Sequence, residues 1–343
     1  MTTMKCRAFT LLELLVSMTI VSILMIVMVT ITGQTSAVWR DTTGKSNQFR
    51  EARNAFESIS RNLAQATLNT YYDYYAADGS SRKASDPATF VPATYGRQSE
   101  LRFQAGDASA LVGGSASTFP SQALFFQAPL GFTQTSDNAG LESLINTWGY
   151  YLEFREDSDR PAYMPGTKRH RFRLMEFMEP TENLKVYQQP NQWLQTAAGG
   201  SNSHVIASNI ICLTFLPKLP SQGPVGDLRV DPNGNRLSPN YAYDSTTVGQ
   251  AASGAELNSR HQLPPVVEVI MVAIDEPSAV RLEQGSTPPD FGLATLFKDA
   301  TPARRKSDLQ TLETTLASMK VNYRVFATEV SLRGARWSRE QAN

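Results

Sequence analysis

The most regular pattern of hydrophobic and polar positions lies at the start of the chain. From Leu14 to Trp39, 26 consecutive residues carry no charge, and the run from Leu11 to Thr32 holds one charged side chain, Glu13. A helix rising ~1.5 Å per residue crosses a ~30 Å hydrocarbon layer with a run of this length. The pattern therefore predicts a membrane-spanning helix. Past Arg40 the pattern turns amphipathic. Phe49, Ala52, Phe56, Ile59, Leu63 and Ala66 recur at alternating spacings of three and four, while Arg50, Glu51, Arg53, Glu57 and Arg61 take the opposite face. Both halves read as one helix, the first in lipid and the second on protein. Gly33, Gly44 and Thr42-Thr43 are weak helix formers and mark where the membrane half is expected to bend.

Beyond Pro87 the periodicity changes. All 19 prolines fall at or after that residue, and only Gly33, Gly44 and Gly79 of the 21 glycines precede it. Short apolar or alternating runs bounded by turn residues predict antiparallel strands at 100–104, 123–127, 150–155 and 171–177, with a short one at 184–188. The runs 205–216 and 266–274 are nearly continuous, as strands buried on both faces are, and 323–333 alternates. These three are expected at the centre of the sheet. A helix is expected between the last two, with Ser307 and Gln310 as a capping box and Leu309, Leu312, Leu316 and Met319 along one face. Tyr71-Tyr72-Asp73-Tyr74-Tyr75 reads either as an aromatic patch facing the membrane or another subunit, or as a loop covering the sheet edge, with the loop favoured.

Composition narrows the possibilities. The 343 residues are 41% hydrophobic, enough for a sizeable core, and 32 basic side chains balance 32 acidic ones. That neutrality argues against nucleic acid as a partner, because phosphate contacts need clustered positive charge. Cys6 precedes the first apolar run and Cys212 lies inside a later one, so no bridge between them is expected. His170, His204 and His261 are scattered, without metal-ligand spacing, and no metal or cofactor is expected.

Around Glu13 the residues carry a family resemblance. Ala8-Phe9-Thr10-Leu11-Leu12-Glu13, preceded by Lys5 and Arg7 and followed by the uncharged helix, resembles the processing site of type IV prepilins and pseudopilins. The resemblance implies an α+β, pilin-like fold: a long N-terminal helix, half in the membrane and half amphipathic, packed on an antiparallel sheet domain with loop insertions. It implies a leader at 1–8, membrane and amphipathic halves of the helix at 9–34 and 35–70, and a globular domain at 71–343. A prepilin peptidase is the implied first partner, recognising Lys5, Arg7 and Ala8, cutting between Ala8 and Phe9 and methylating Phe9. Other pilin or pseudopilin subunits are the implied later partners, met through Glu13. The family usually has glycine before the cut, where this chain has Ala8. The order of the late strands is similar to that of the minor pseudopilins of type II secretion and of the large prepilin-like members of the Verru_Chthon cassette.

The expected function is thus that of a non-enzymatic minor pilin-like subunit of a bacterial inner membrane, with the N-terminus in the cytoplasm and the domain in the periplasm. Lys5 and Arg7 before the span set that orientation. A membrane-anchored periplasmic binding protein or adhesin is the alternative. Other candidate sites are weaker. Asp231-Pro232-Asn233-Gly234-Asn235 spaces oxygen donors as a calcium loop does but reads first as a hairpin turn. Asp73, Asp78, Glu153, Glu156, Asp157 and Asp159 show no catalytic pairing. Arg304-Arg305-Lys306 reads as a solvated loop, and Cys212 as a small core residue.

Overall fold

The computed structural model describes residues 11–82, 90–156, 168–190, 192–194, 197, 200–223, 227, 229–247 and 258–337, with backbone only at 37 and 40–48. The chain divides into two compact units, Met1–Gln48 and Phe49–Asn343. One helix, α1 (Leu11–Leu63), runs through the first unit and into the second. Of the predicted stripe, Ala52, Phe56, Ile59 and Leu63 are buried and Phe49 is half-buried, while Ala55, outside the predicted spacing, is buried with them. The helix stops at Leu63, short of the expected boundary at 70. Ala66 continues the stripe from a turn, its N–H donating to the Leu63 carbonyl, and Asn69 adopts φ 45°, which a helix cannot accommodate.

The second unit is built on antiparallel strands, so the chain is α+β overall. Strands β1 (Tyr71–Tyr75) and β2 (Thr94–Gln98) form a separate ribbon. The tyrosine run is thus a strand, not the loop expected from sequence. A six-stranded sheet contains β3 (Gln104–Asp107), β4 (Gln122–Pro129), β5 (Ile145–Glu156), β6 (His170–Glu179), β7 (Ser203–Ser208) and β9 (Tyr243–Asp244) in the order β7-β6-β5-β4-β3-β9. A three-stranded sheet contains β8 (Ile210–Lys218), β10 (Val266–Ile274) and β11 (Tyr323–Ser331), with β10 in the middle.

Three sequence expectations fail here for physical reasons. The run 205–216 is two strands in different sheets, because Asn209 takes φ 60° and turns the chain between them. Its N–H donates to the Phe172 carbonyl of β6 and its carbonyl accepts from Ile274 N–H of β10, so one residue bonds to both sheets. Of the strand expected at 100–104 only Gln104, the first residue of β3, is in a ladder, because side chains replace it at 101–103. Leu101 N–H donates to Ser99 Oγ at 3.0 Å, Arg102 N–H to Gln127 Oε1 at 2.7 Å and Phe103 N–H to Ser245 Oγ at 2.9 Å. Residues Lys185–Gln188 form a short helix, α2, rather than a strand, with the buried Glu179 carboxylate accepting from Lys185 N–H at its start.

The three-stranded sheet lies between two apolar clusters, which explains its nearly unbroken hydrophobic runs. Leu213, Phe215, Val269 and Met271 face the cluster shared with α1 and the six-stranded sheet. Ile211, Cys212, Val272 and Ile274 face α3 (Glu276–Leu282) and α4 (Pro302–Ser318), through Ala279, Leu312 and Leu316. The edge of β8 away from β10 is closed by side chains next to and within β4. Ser121 Oγ donates to the Leu213 carbonyl and accepts from Leu213 N–H, and Gln122 Oε1 accepts from Phe215 N–H at 2.7 Å. The amphipathic part of α1 reaches both sheets. Asn62 donates to the Tyr150 hydroxyl of β5, and the Phe56 ring lies 5.7 Å from that of Phe326 on β11. Helix α4 begins earlier than the expected capping box, because Thr301-Pro302 supplies an N-cap position and a proline at the first turn. Ser307 lies within the helix and donates to the Arg304 carbonyl.

Candidate functional site

The candidate site with the strongest sequence support is the beginning of α1. Leu11–Ser36 forms a span of 26 residues whose most apolar 18-residue window has a mean hydropathy of 2.7, and its side chains are exposed throughout. By length and composition it is able to cross a membrane once. Its hydroxyls are compatible with lipid because they bond to the preceding turn of their own helix. Ser17 donates to the Leu14 carbonyl, Thr19 to Val16, Thr30 to Ile26 and Thr32 to Met28, all at 2.8–2.9 Å.

Glu13 is the one charged residue of this span and lies in its first turn. The N-terminal end of a helix carries partial positive charge, which favours a carboxylate there. A carboxylate near the centre of a bilayer costs about 2.5–3.5 kcal/mol and less towards the interface, so its placement at the helix start lowers the cost without removing it. Lys5, Arg7, Ala8 and Phe9 lie outside the described residues, so only Glu13 of the predicted processing and assembly residues has a described position.

The weaker candidates resolve into structural roles. Asp231 organises its own turn, accepting from Asn233 N–H at 2.9 Å and Arg236 N–H at 2.6 Å. Its carboxylate oxygens are thus engaged by backbone, and no group of three His, Cys, Asp or Glu side chains able to hold a metal occurs among the described residues. Arg304-Arg305-Lys306 belongs to the first turns of α4, not to a loop. Arg305 is tied to the sheet through Glu268 at 2.7 Å, and Glu268 also meets Lys218 at 3.1 Å. Asp73 lies on β1, Asp78 in the following turn bonded to Ser80, and Glu153 and Glu156 on β5 beside Arg155 and Lys168. Asp157 and Asp159 are outside the described residues.

Cys212 is completely buried in β8, and burial pushes its thiol up to about 12. Thiolate is the reactive form, so this cysteine should resist a disulfide reagent until the domain unfolds. A chain cut after Ala8 also lacks Cys6. The processed protein should therefore show no fast-reacting thiol in native buffer and one in denaturant; a native, stoichiometric reaction at Cys212 would contradict its placement.

One arrangement escaped the sequence reading: a cleft of about 610 Å³ beside the β1–β2 ribbon. Tyr72 and Tyr95 line it with Arg97, Asn258, Arg260 and His261. Tyr74 and Tyr95 are register partners, and Tyr72 stacks on Tyr95 with ring centroids 5.6 Å apart. The Arg97 guanidinium lies 6.0 Å from the Tyr72 centroid, and Arg260 lies 5.7 Å from that of Tyr75. His261 is buried, and desolvation together with Arg260 lowers it to about 4, so it is neutral near pH 7. Only the tyrosine run was visible in the sequence, since the arginines and the histidine come from distant segments.

Set against known families, residues 3–29 match the model of the prokaryotic N-terminal methylation motif. The match supports a type IV prepilin-like protein and, with it, a peptidase-processed, pilin-type subunit. Comparison with curated proteins and with solved structures returns no match.

Proposed function

We propose that the chain is a non-enzymatic minor pilin- or pseudopilin-like subunit that assembles through its N-terminal helix into a type IV pilus or a type II secretion-like filament. A prepilin peptidase recognises Lys5, Arg7 and Ala8, cuts between Ala8 and Phe9, and methylates Phe9. The single observation carrying this reading is the methylation motif at 3–29 leading into an exposed apolar span whose one charge is Glu13.

The physics of assembly follows from that charge. After cleavage the amino group of Phe9 is a cation at the membrane face of the helix, and Glu13 lies about one helical turn further on. In a low dielectric, an anion on one subunit and a terminal cation on its neighbour offset each other's desolvation, and their pairing fixes the axial stagger between helices. Residues 9–34 span the inner membrane, the helix continues amphipathically from 35 to its end at Leu63, and the residues beyond it form the periplasmic domain. On this reading the chain is a subunit of the kind found among the minor pseudopilins of type II secretion or the large prepilin-like proteins of the Verru_Chthon cassette. The test is recovery of other pilin-like subunits with this chain from detergent-solubilised membranes, and its dependence on Glu13.

A further inference from the structure

The cleft beside the β1–β2 ribbon has chemistry that filament assembly does not use. Arg97 and Arg260 have no carboxylate within salt-bridge distance among the described residues, and the Nε of each is buried without a hydrogen-bond partner. Arg97 Nη1 donates to the Arg336 carbonyl at 2.6 Å, which holds the side chain in place and leaves the rest of its fork unused. The nearby acids are engaged elsewhere: Glu100 accepts from the Tyr71 hydroxyl, and Asp73 from Tyr74 N–H.

His261 is 6% exposed and lines the cleft with its ring against the Ser99 backbone. Its backbone sits at φ 55°, an uncommon region for a non-glycine residue, held there by a bond from its N–H to the Ser245 carbonyl. Guanidinium groups that line a cleft without a carboxylate partner are placed to meet a ligand's anion. Next to them stands an exposed aromatic surface, with Tyr95 at 62% exposure.

We propose that this cleft binds an acidic saccharide, with its carboxylate on the guanidinium groups of Arg97 and Arg260 and the sugar ring against Tyr95. Planar guanidinium forks match carboxylates, and an aromatic ring offers an apolar surface to the C–H face of a pyranose. The volume falls within the ~300–1,000 Å³ of small-ligand sites. The balanced charge of the whole chain disfavours a polyanion such as nucleic acid, which needs a broad basic surface. The site lies wholly in the globular unit and does not depend on the filament reading.

The test is calorimetric titration of the full chain in detergent with tri-galacturonate, the uncharged galactose trisaccharide, penta-glutamate and an oligothymidylate. Tri-galacturonate is expected to bind saturably, and each of the other three at least about tenfold more weakly, the scale of one charge-assisted bond. Tyr95→Ala and Arg260→Gln should each weaken it by a similar factor. Tyr95 is exposed, so its variant keeps the fold and decides the matter if Arg260→Gln does not. Equal binding of the neutral sugar, the acidic peptide or the oligonucleotide, unchanged affinity in Tyr95→Ala, or no saturable binding would each overturn the proposal.

Discussion

Glu13→Ala is expected to leave cleavage after Ala8 intact while abolishing recovery of partner subunits with this chain. The two steps read different features. On the proposed function, the peptidase meets the leader and the residues around the cut, whereas association within the membrane pairs an anion with a neighbour's terminal cation. Replacing Glu13 removes the only charge of the Leu11–Ser36 span and makes the helix more hydrophobic, so insertion should not suffer. What is lost is the electrostatic pairing, which in a low-dielectric medium is worth far more than the fraction of a kcal/mol, ~0.2–1, typical of exposed pairs. Glu13→Gln should behave like the alanine variant, since it keeps the size and loses the charge. Unchanged partner recovery in both variants would instead favour a tethered binding protein, in which the helix serves only as an anchor.

The second large effect concerns the core. Gly149 on β5 lies directly opposite Phe125 on β4, and a Cβ at Gly149 would meet the Phe125 ring at 2.1 Å. The glycine makes room for a ring that packs near Tyr151, Phe177 and Trp193, with centroids at 6.1–6.3 Å. Removing the ring with Phe125→Ala should cost about 3–5 kcal/mol. Gly149→Ala should cost on the order of 3 kcal/mol, because a ring packed on all sides has nowhere to move. The two changes should not add. In the Phe125→Ala background the clash is gone, and Gly149→Ala should then be nearly neutral. Denaturant midpoints of the four chains measure this cycle. Additive losses would show that the ring does not lie over the glycine.

Much of this architecture was legible in the sequence because burial there is periodic. The α1 stripe from Ala52 to Leu63 and the strand 266–274 depend on local pattern alone, and both appear where the pattern puts them. The failures have a common cause: a side chain or a backbone twist takes over bonds that a ladder would otherwise make. Asn209 breaks an apolar run that no periodicity distinguishes from a single strand, and Ser99, Gln127 and Ser245 satisfy a segment that reads as strand. The processing motif was legible because it is contiguous. The cleft was not, because Arg97 and His261 are brought together only by tertiary structure.

Intact mass and N-terminal sequence of the chain purified from membranes of a host with a prepilin peptidase test the central claim most directly. A polypeptide beginning at N-methylated Phe9 is the predicted result. A polypeptide that still begins at Met1, or one that begins after the apolar span at Val38, would contradict it.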